Sequence, residues 1–135
     1  MFSSKRTRVL QIEQQWCHLG QEPEIALSLA EEQLNLGQKL SLQPGLLAYI
    51  ALHCVEASSL VFTATKNQEI CFKGQNYAQI AQFYGIRAYG EESDEAEVFS
   101  RITELWNKDT FTTNNVDLFV VVQEAIAKLR DIDKK

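Results

Sequence analysis

Apolar residues recur at helical spacing along most of the chain and predict an all-α fold. The first such stripe has spacings of three, four and three residues and indicates a short helix that ends at Gly20. Its members are Val9, Ile12, Trp16 and Leu19. A second helix is predicted over residues 21–42, with Pro23 in its first turn, where a missing N–H costs nothing. Pro44 and Gly45 then break the chain, so the second and third helices are expected to form an antiparallel hairpin.

The third predicted helix, residues 46–65, is the most apolar segment of the chain. Apolar residues cover nearly all of its circumference, which is typical of the most buried helix in a bundle. The polar segment KNQEICFKGQN, residues 66–76, is expected to be a loop. The segment NYAQIAQFYGIRAY, residues 76–89, predicts the next core helix, of about three turns.

Two further helices are predicted near the C-terminus. In the acidic segment GEESDEAE, Ser93 is suited to cap a helix whose first turn is acidic, because the helix dipole favours negative charge there. The alternative is that residues 91–97 form an acidic docking surface for a basic partner. The last helix is predicted over residues 115–132. Its LFVVV run would also suit a strand, but the apolar stripe continues at helical spacing to Ile132.

Together these patterns predict a single-domain, all-α bundle over residues 9–135, with about five main helices plus a short N-terminal helix. No internal repeat is visible. The first eight residues contain Lys5, Arg6 and Arg8 but no acid, and are expected to be a basic arm or the frayed end of the domain.

One line of polar side chains runs along the central helix, within about a third of its circumference. It consists of Tyr49, His53, Glu56, Ser59 and Thr63. One interpretation is a ligand-binding site formed by the first four, with His53 as a base or ligand and Glu56 one turn away to orient it. The other is that the line is the solvent-exposed seam of a helix packed on its other sides. A seam buried by a second subunit is also open.

Recognisable catalytic and metal-binding patterns are absent from the sequence. It contains no GxSxG, P-loop or Rossmann glycine motif, and only two histidines. A helical di-metal site needs ExxH on two helices, whereas this chain has one HxxE. We therefore predict no catalytic residues, no metal and no cofactor. Cys17, Cys54 and Cys71 form no CxxC and are expected to be reduced thiols.

Composition and charge limit the partners and the location. An apolar content of 45% and a charged content of 23% are ordinary for a globular protein, while the net charge of −5 disfavours broad nucleic-acid binding. A membrane span over the central helix is disfavoured because His53 and Glu56 would lie near the bilayer centre. No signal peptide is apparent. We expect a cytoplasmic protein.

A local RNA-binding surface is the alternative that the basic residues leave open. Lys66, Lys73 and Arg87 lie close in sequence to several aromatic residues, and such a combination can neutralise and stack single-stranded RNA. The aromatic residues are Phe72, Tyr77, Phe83 and Tyr84, of which Phe83 and Tyr84 also have the spacing of core residues.

The layout of residues 24–132 resembles the HEPN superfamily of helical bundles. The similarity lies in ALSLAEEQLNLGQKL, then AYIALHCVEASSLVF, two middle helices and a final VDLFVVVQEAIAKL. The resemblance implies a dimerising four- or five-helix bundle of a toxin–antitoxin or RNA-processing system. Active HEPN members cut RNA through an R-x4-6-H motif. No arginine here precedes a histidine by five to seven residues, so no catalytic residue can be assigned by the resemblance.

The sequence therefore favours a non-catalytic helical module that acts through protein–protein contact, with a protein partner or with a second copy of itself. A HEPN-like component that binds RNA or a nucleotide is the alternative.

Overall fold

The computed structural model describes residues 4–16 and 22–107, which form five α-helices and no strand. This confirms the predicted all-α bundle. The helix predicted over residues 115–132 lies outside the described residues, as do Cys17 and Leu19. The five helices are α1 (Ser4–Trp16), α2 (Pro23–Lys39), α3 (Pro44–Thr65), α4 (Gln68–Tyr89) and α5 (Asp94–Asn107).

Helix α3 is the centre of the bundle, as its apolar circumference predicts. It packs against α2 and α4, while α1 packs on α2 and α5 packs on α4. Fourteen of its 22 residues are buried, which no other described helix approaches. By length and composition α3 is also a candidate membrane span, but 78% of that window is buried inside the bundle, as in the core helix of a soluble protein. Pro44 occupies the first turn, and Lys66 ends the helix in a left-handed conformation.

Helix α4 begins at Gln68, so the predicted loop over residues 66–76 is wrong. Asn67 caps the helix, because its Oδ1 accepts a hydrogen bond of 2.9 Å from the Glu69 amide. The segment is rich in polar residues, which is typical of a loop. Its inward side nevertheless carries Cys71 and Gly74, which are both buried. The helix has 22 residues, about twice the predicted three turns.

Helix α1 begins at Ser4, so residues 4–8, for which a basic arm was predicted, are helical. An ion pair joins this part of the helix to α2: Arg8 Nε and Nη2 donate to Glu32 Oε2 and Oε1 at 2.7 and 2.9 Å. This hydrogen bonding lowers the pKa of the Glu32 carboxyl. Val9 and Ile12 of the same helix are buried. Residues 1–3 lie outside the described part of the chain.

Helix α5 starts as predicted, with Ser93 as its cap and an acidic first turn. Ser93 Oγ accepts a hydrogen bond of 3.1 Å from the Ala96 amide. Phe99 and Ile102 are each 1% exposed and fix α5 to the core. Gly85 of α4 lies directly beneath the Phe99 ring, where a side chain would collide with it.

Candidate functional site

Tyr49 and His53 of α3 share one carboxylate, that of Glu13 on α1. Tyr49 Oη donates to Glu13 Oε1 at 2.7 Å. His53 Nδ1 lies 3.7 Å from Glu13 Oε2, a distance at which a protonated imidazole would be ion-paired with the carboxylate. The rings of Tyr49 and His53 meet edge to face, with centroids 4.5 Å apart. One turn of α3 thus presents a phenol and an imidazole to the same acid.

Gln33 of α2 completes this arrangement. Its Nε2 donates to Glu13 Oε2 and to the Val9 carbonyl, both at 3.2 Å. Both neighbours are pure acceptors, which fixes the orientation of the amide. Among the described residues the Gln33 Oε1 atom has no hydrogen-bond partner. We call Glu13, Gln33, Tyr49 and His53 the polar cluster, since it joins α1, α2 and α3.

Burial shows that the polar cluster is internal. His53 is 0% exposed and Gln33 1% exposed, whereas the Glu13 side chain keeps 36% of its surface. The interpretation of this line as a solvent-exposed seam is therefore wrong for Tyr49, His53 and Ser59, which are all buried. A carboxylate on α1 that accepts hydrogen bonds from α2 and α3 is a means of holding the three helices together.

The structure does not bring together all four residues of the predicted ligand site. Ser59 Oγ donates to the Glu56 carbonyl at 2.7 Å, and Thr63 Oγ1 donates to the Ser59 carbonyl at 2.7 Å. These hydroxyls are therefore bonded to the backbone of their own helix. Glu56 is half-buried, one turn from His53. Tyr49 and His53 join the polar cluster, while the Ser59 hydroxyl is directed along α3.

Glu13 and Gln33 are not among the predicted site residues, because each lies on a different helix from His53. A signal existed for Gln33, which falls three residues after Ala30 and seven after Ala26 and is thus on the apolar stripe of α2. A polar residue at such a position needs a buried partner. Nothing comparable marks Glu13, because a glutamate beside an apolar stripe is ordinary.

A second polar contact joins α2 to α4. Tyr77 Oη donates to Glu31 Oε2, and Lys73 Nζ lies 3.3 Å from the same oxygen. Burial and this carboxylate together raise the pKa of the Tyr77 hydroxyl. Burial, and then the charge of Glu31, raise the pKa of the Cys54 thiol well above its usual range. A thiol held in its protonated form is a poor nucleophile.

These shifts predict that the protein loses stability in alkali. Because burial raises the pKa of Cys54 in the folded state, the unfolded chain loses the thiol proton first as pH rises above about 8.5. The free energy of unfolding should then fall by up to about 1.4 kcal/mol per pH unit. From about pH 10 the Tyr77 hydroxyl of the unfolded chain should also lose its proton first, which should make the free energy of unfolding fall more steeply with pH. Urea unfolding followed at several pH values measures both slopes.

The matched control for this titration is Cys54→Ala. In this variant most of the fall in the free energy of unfolding that begins near pH 8.5 should disappear. The fall that comes from Tyr77 should stay, together with a smaller one from Cys71, because burial also raises the pKa of the Cys71 thiol. Equal free energies of unfolding at about pH 7.5 and 9.5 in the unmodified protein would contradict the prediction.

The three residues proposed to bind nucleic acid are exposed but do not converge. Lys66 lies with its Nζ 5.8 Å from the Phe62 ring centroid, and Lys73 is paired with Glu31. Arg87 is stacked over the Phe83 ring, 5.4 Å from its centroid. Lys73 and Arg87 are about 21 Å apart along α4, from 14 residues at the helical rise.

A shallow cleft of about 260 Å³ lies elsewhere, between the start of α2 and the end of α3. None of the residues proposed above for ligand or nucleic-acid binding lines it. Its lining consists of Glu22, Pro23, Glu24, Ile25, Val61, Ala64 and Thr65. Within residues 4–16 and 22–107, no three His, Cys, Asp or Glu side chains are grouped closely enough to hold a metal ion.

Comparison of the chain with protein-family models, with curated proteins and with solved structures finds no match.

Proposed function

We propose that this protein is a non-catalytic helical-bundle module that acts through protein–protein contact, and that the contact surface is the outer side of α4. The observation that carries the proposal is the exposure of two large aromatic side chains there. Phe72 is 64% exposed and Phe83 55% exposed, although the opposite side of the same helix lies in the core.

These two phenylalanines belong to one surface. They are 11 residues apart, which is about three turns of helix, and so lie on the same side of α4. Asn76 and Gln79 lie between them on that side, uncharged and exposed. We define the α4 outer face as Glu69, Phe72, Asn76, Gln79, Phe83 and Arg87, all exposed. Exposed aromatic residues flanked by polar ones are typical of protein interaction surfaces.

The remaining exposed large apolar residues of the described chain are isolated by comparison. They are Leu10 on α1, Ile25 on α2 and Leu46 on α3. Single exposed apolar residues are ordinary in soluble proteins. The pairing of two phenylalanines on one helix is what distinguishes α4.

The state of the reactive groups supports a non-catalytic role. His53 is fully buried and shares Glu13 with two hydrogen-bond donors, and the Cys54 thiol is held protonated by burial. General acid–base catalysis requires a titratable group within reach of a substrate. In the polar cluster the exposed group is the carboxylate, which is already engaged by donors from α2 and α3.

RNA binding, the HEPN-like alternative, is favoured by one observation. Arg87 and Phe83 form an exposed cation–π pair on which a base could stack. Against it, Lys73 is already paired with Glu31, and the chain has a net charge of −5. Protein contact therefore has the stronger support, and RNA binding is a second candidate to be tested beside it.

Light scattering on the purified full chain tests the proposal. We expect a mass above the 15.4 kDa of one chain, which falls to one chain in the Phe72→Ser/Phe83→Ser variant because the aromatic contact is lost. Leu10→Ser is the matched control, since Leu10 is 62% exposed on a different helix. Circular dichroism should show the same helix content in all three proteins, as the replaced side chains lie outside the core.

A mass of one chain at every concentration would contradict the proposal. Fluorescence anisotropy with a labelled single-stranded RNA measures RNA binding and so tests the second candidate function. Tight binding of RNA that Arg87→Ala abolishes, without any change of mass, would favour the RNA-binding candidate.

A further inference from the structure

The α4 outer face has a pattern that is complementary to itself when reversed. Along the helix it presents an acid, a phenylalanine, two amides, a phenylalanine and a base. The midpoint between Glu69 and Arg87 along the helix is residue 78. The midpoint between Phe72 and Phe83 lies between residues 77 and 78, and so does the midpoint between the two amides. A two-fold axis through this point would place each side chain opposite a complementary one.

We infer that a second copy of this chain binds the α4 outer face, with the two α4 helices antiparallel and the two-fold axis crossing the face between Asn76 and Gln79. The inference rests on the proposed function and specifies its partner and geometry. An interface with two-fold symmetry uses the same surface on both copies, so that residue i contacts residue j and j contacts i. Phe72 of each copy would then meet Phe83 of the other, giving two aromatic contacts, one on each side of the central amides.

Charge decides between the antiparallel and the parallel arrangement. In a parallel pair, Glu69 would face Glu69 and Arg87 would face Arg87, which repel. In the antiparallel pair, Glu69 of each copy faces Arg87 of the other, at both ends of the aromatic contact. The Arg87 guanidinium is already held over the Phe83 ring, 5.4 Å from its centroid, and so lies at the face. The antiparallel arrangement therefore satisfies both ends at once.

The spacing along the face suits a helix–helix contact. The successive intervals are three, four, three, four and four residues, close to the 3.5-residue repeat that keeps a seam facing a partner helix. Ala78 and Ala81, on the opposite side of α4, are each 1% exposed, so the helix presents one side to the core and the other to solvent. The second copy would cover the side that the bundle leaves exposed.

We expect the dimer to be weak. A contact along one face of two helices is at the small end of specific interfaces, below about 1,200 Å² of buried surface. We expect a dissociation constant of about 1 to 100 µM, the range of a weak and transient contact. Sedimentation equilibrium over a concentration range that spans these values measures it directly.

Charge reversal tests the inference. Glu69→Arg places an arginine opposite Arg87 twice per dimer, and Arg87→Glu places a glutamate opposite Glu69 twice. Each single variant should weaken the dimer about tenfold, because two attractive pairs become repulsive. The double variant Glu69→Arg/Arg87→Glu restores opposite charges and should return the dissociation constant to within about threefold of the unmodified protein. Raising the salt concentration should shrink all these differences.

The outcomes separate the inference from the proposed function. Suppose that Phe72→Ser/Phe83→Ser dissociates the dimer, but the double charge variant dimerises no more tightly than the single charge variants. Contact through α4 then stands, and the antiparallel pairing is overturned. In a parallel pair, either single reversal would keep like charges opposed, so none of the charge variants would change the dissociation constant.

A protein that sediments as one chain in every variant overturns both. If the phenylalanine variant then also unfolds at lower urea concentration, the two phenylalanines stabilise the fold of one chain and do not form a contact between copies.

Discussion

Replacing Gly85 with alanine is expected to destabilise the bundle by about 2 kcal/mol, although the same change would stabilise an isolated helix by about 1 kcal/mol. A Cβ atom at this position would lie 2.5 Å from Phe99 Cε2 and 3.0 Å from Phe99 Cγ, and nearer still to Cδ2. Phe99 is 1% exposed and has no room to retreat. The cost of overpacking, about 3 kcal/mol, therefore exceeds the gain of about 1 kcal/mol from the higher helix propensity of alanine. Urea unfolding at neutral pH measures the difference.

Gly45→Ala is the matched control within the chain. There the nearest atom to the new Cβ is the Tyr89 hydroxyl oxygen at 3.3 Å, the end of a side chain that can move. We expect a stability equal to that of the unmodified protein or up to about 1 kcal/mol higher. Shortening Phe99 to leucine in the Gly85→Ala background should recover part of the loss, because the two changes act on one contact. If Gly85→Ala and Gly45→Ala are equally stable, the close packing of α4 on α5 is not as described.

The helices that the sequence predicted correctly are those with simple local signals. Pro23 and Pro44 occupy first turns, and Ser93 caps α5 in front of acids that favour the helix dipole. Such signals depend on neighbouring residues only, so they can be recognised without the fold. The start of α4 was not predicted, because the first turns after the Asn67 cap are polar on their exposed side. Their buried side consists of small residues, Cys71 and Gly74, which give a weak apolar pattern.

Long-range contacts explain the other difference at the N-terminus. Arg8 lies in a basic run that resembles a frayed end, yet it forms two hydrogen bonds to Glu32, 24 residues away. Similarly, the polar line on α3 was recognised, but its environment was not. Whether His53 faces water, a ligand or another helix depends on where α1 lies, and the pattern of α3 contains no information about α1. The pattern of α3 therefore located two members of the polar cluster. Gln33 is marked only by its place on the apolar stripe of α2, and nothing in the sequence marks Glu13.

The polar cluster has a structural consequence that can be measured. Replacing Glu13 with alanine should lower the free energy of unfolding by about 2–3 kcal/mol, because Tyr49 Oη and Gln33 Nε2 both lose a charged acceptor in a largely buried site. Gln33 keeps the Val9 carbonyl, which limits the loss. The effect should be greatest on α1, whose other described contacts include the Arg8–Glu32 pair, the Gln33–Val9 hydrogen bond and two buried apolar side chains. Hydrogen exchange of the α1 amides, together with urea unfolding, detects it.

Two variants distinguish the contribution of the carboxylate from that of any surface glutamate. Glu13→Gln retains one acceptor oxygen for two donors and should lose about half as much stability as Glu13→Ala. Glu92→Ala removes an exposed glutamate ahead of α5 and should change stability by less than about 0.5 kcal/mol. Selectively faster exchange in α1 would mean that Glu13 holds this helix on α2 and α3. If Glu13→Ala were as stable as Glu92→Ala, the cluster would not stabilise the bundle, and His53 would need an explanation other than structural support.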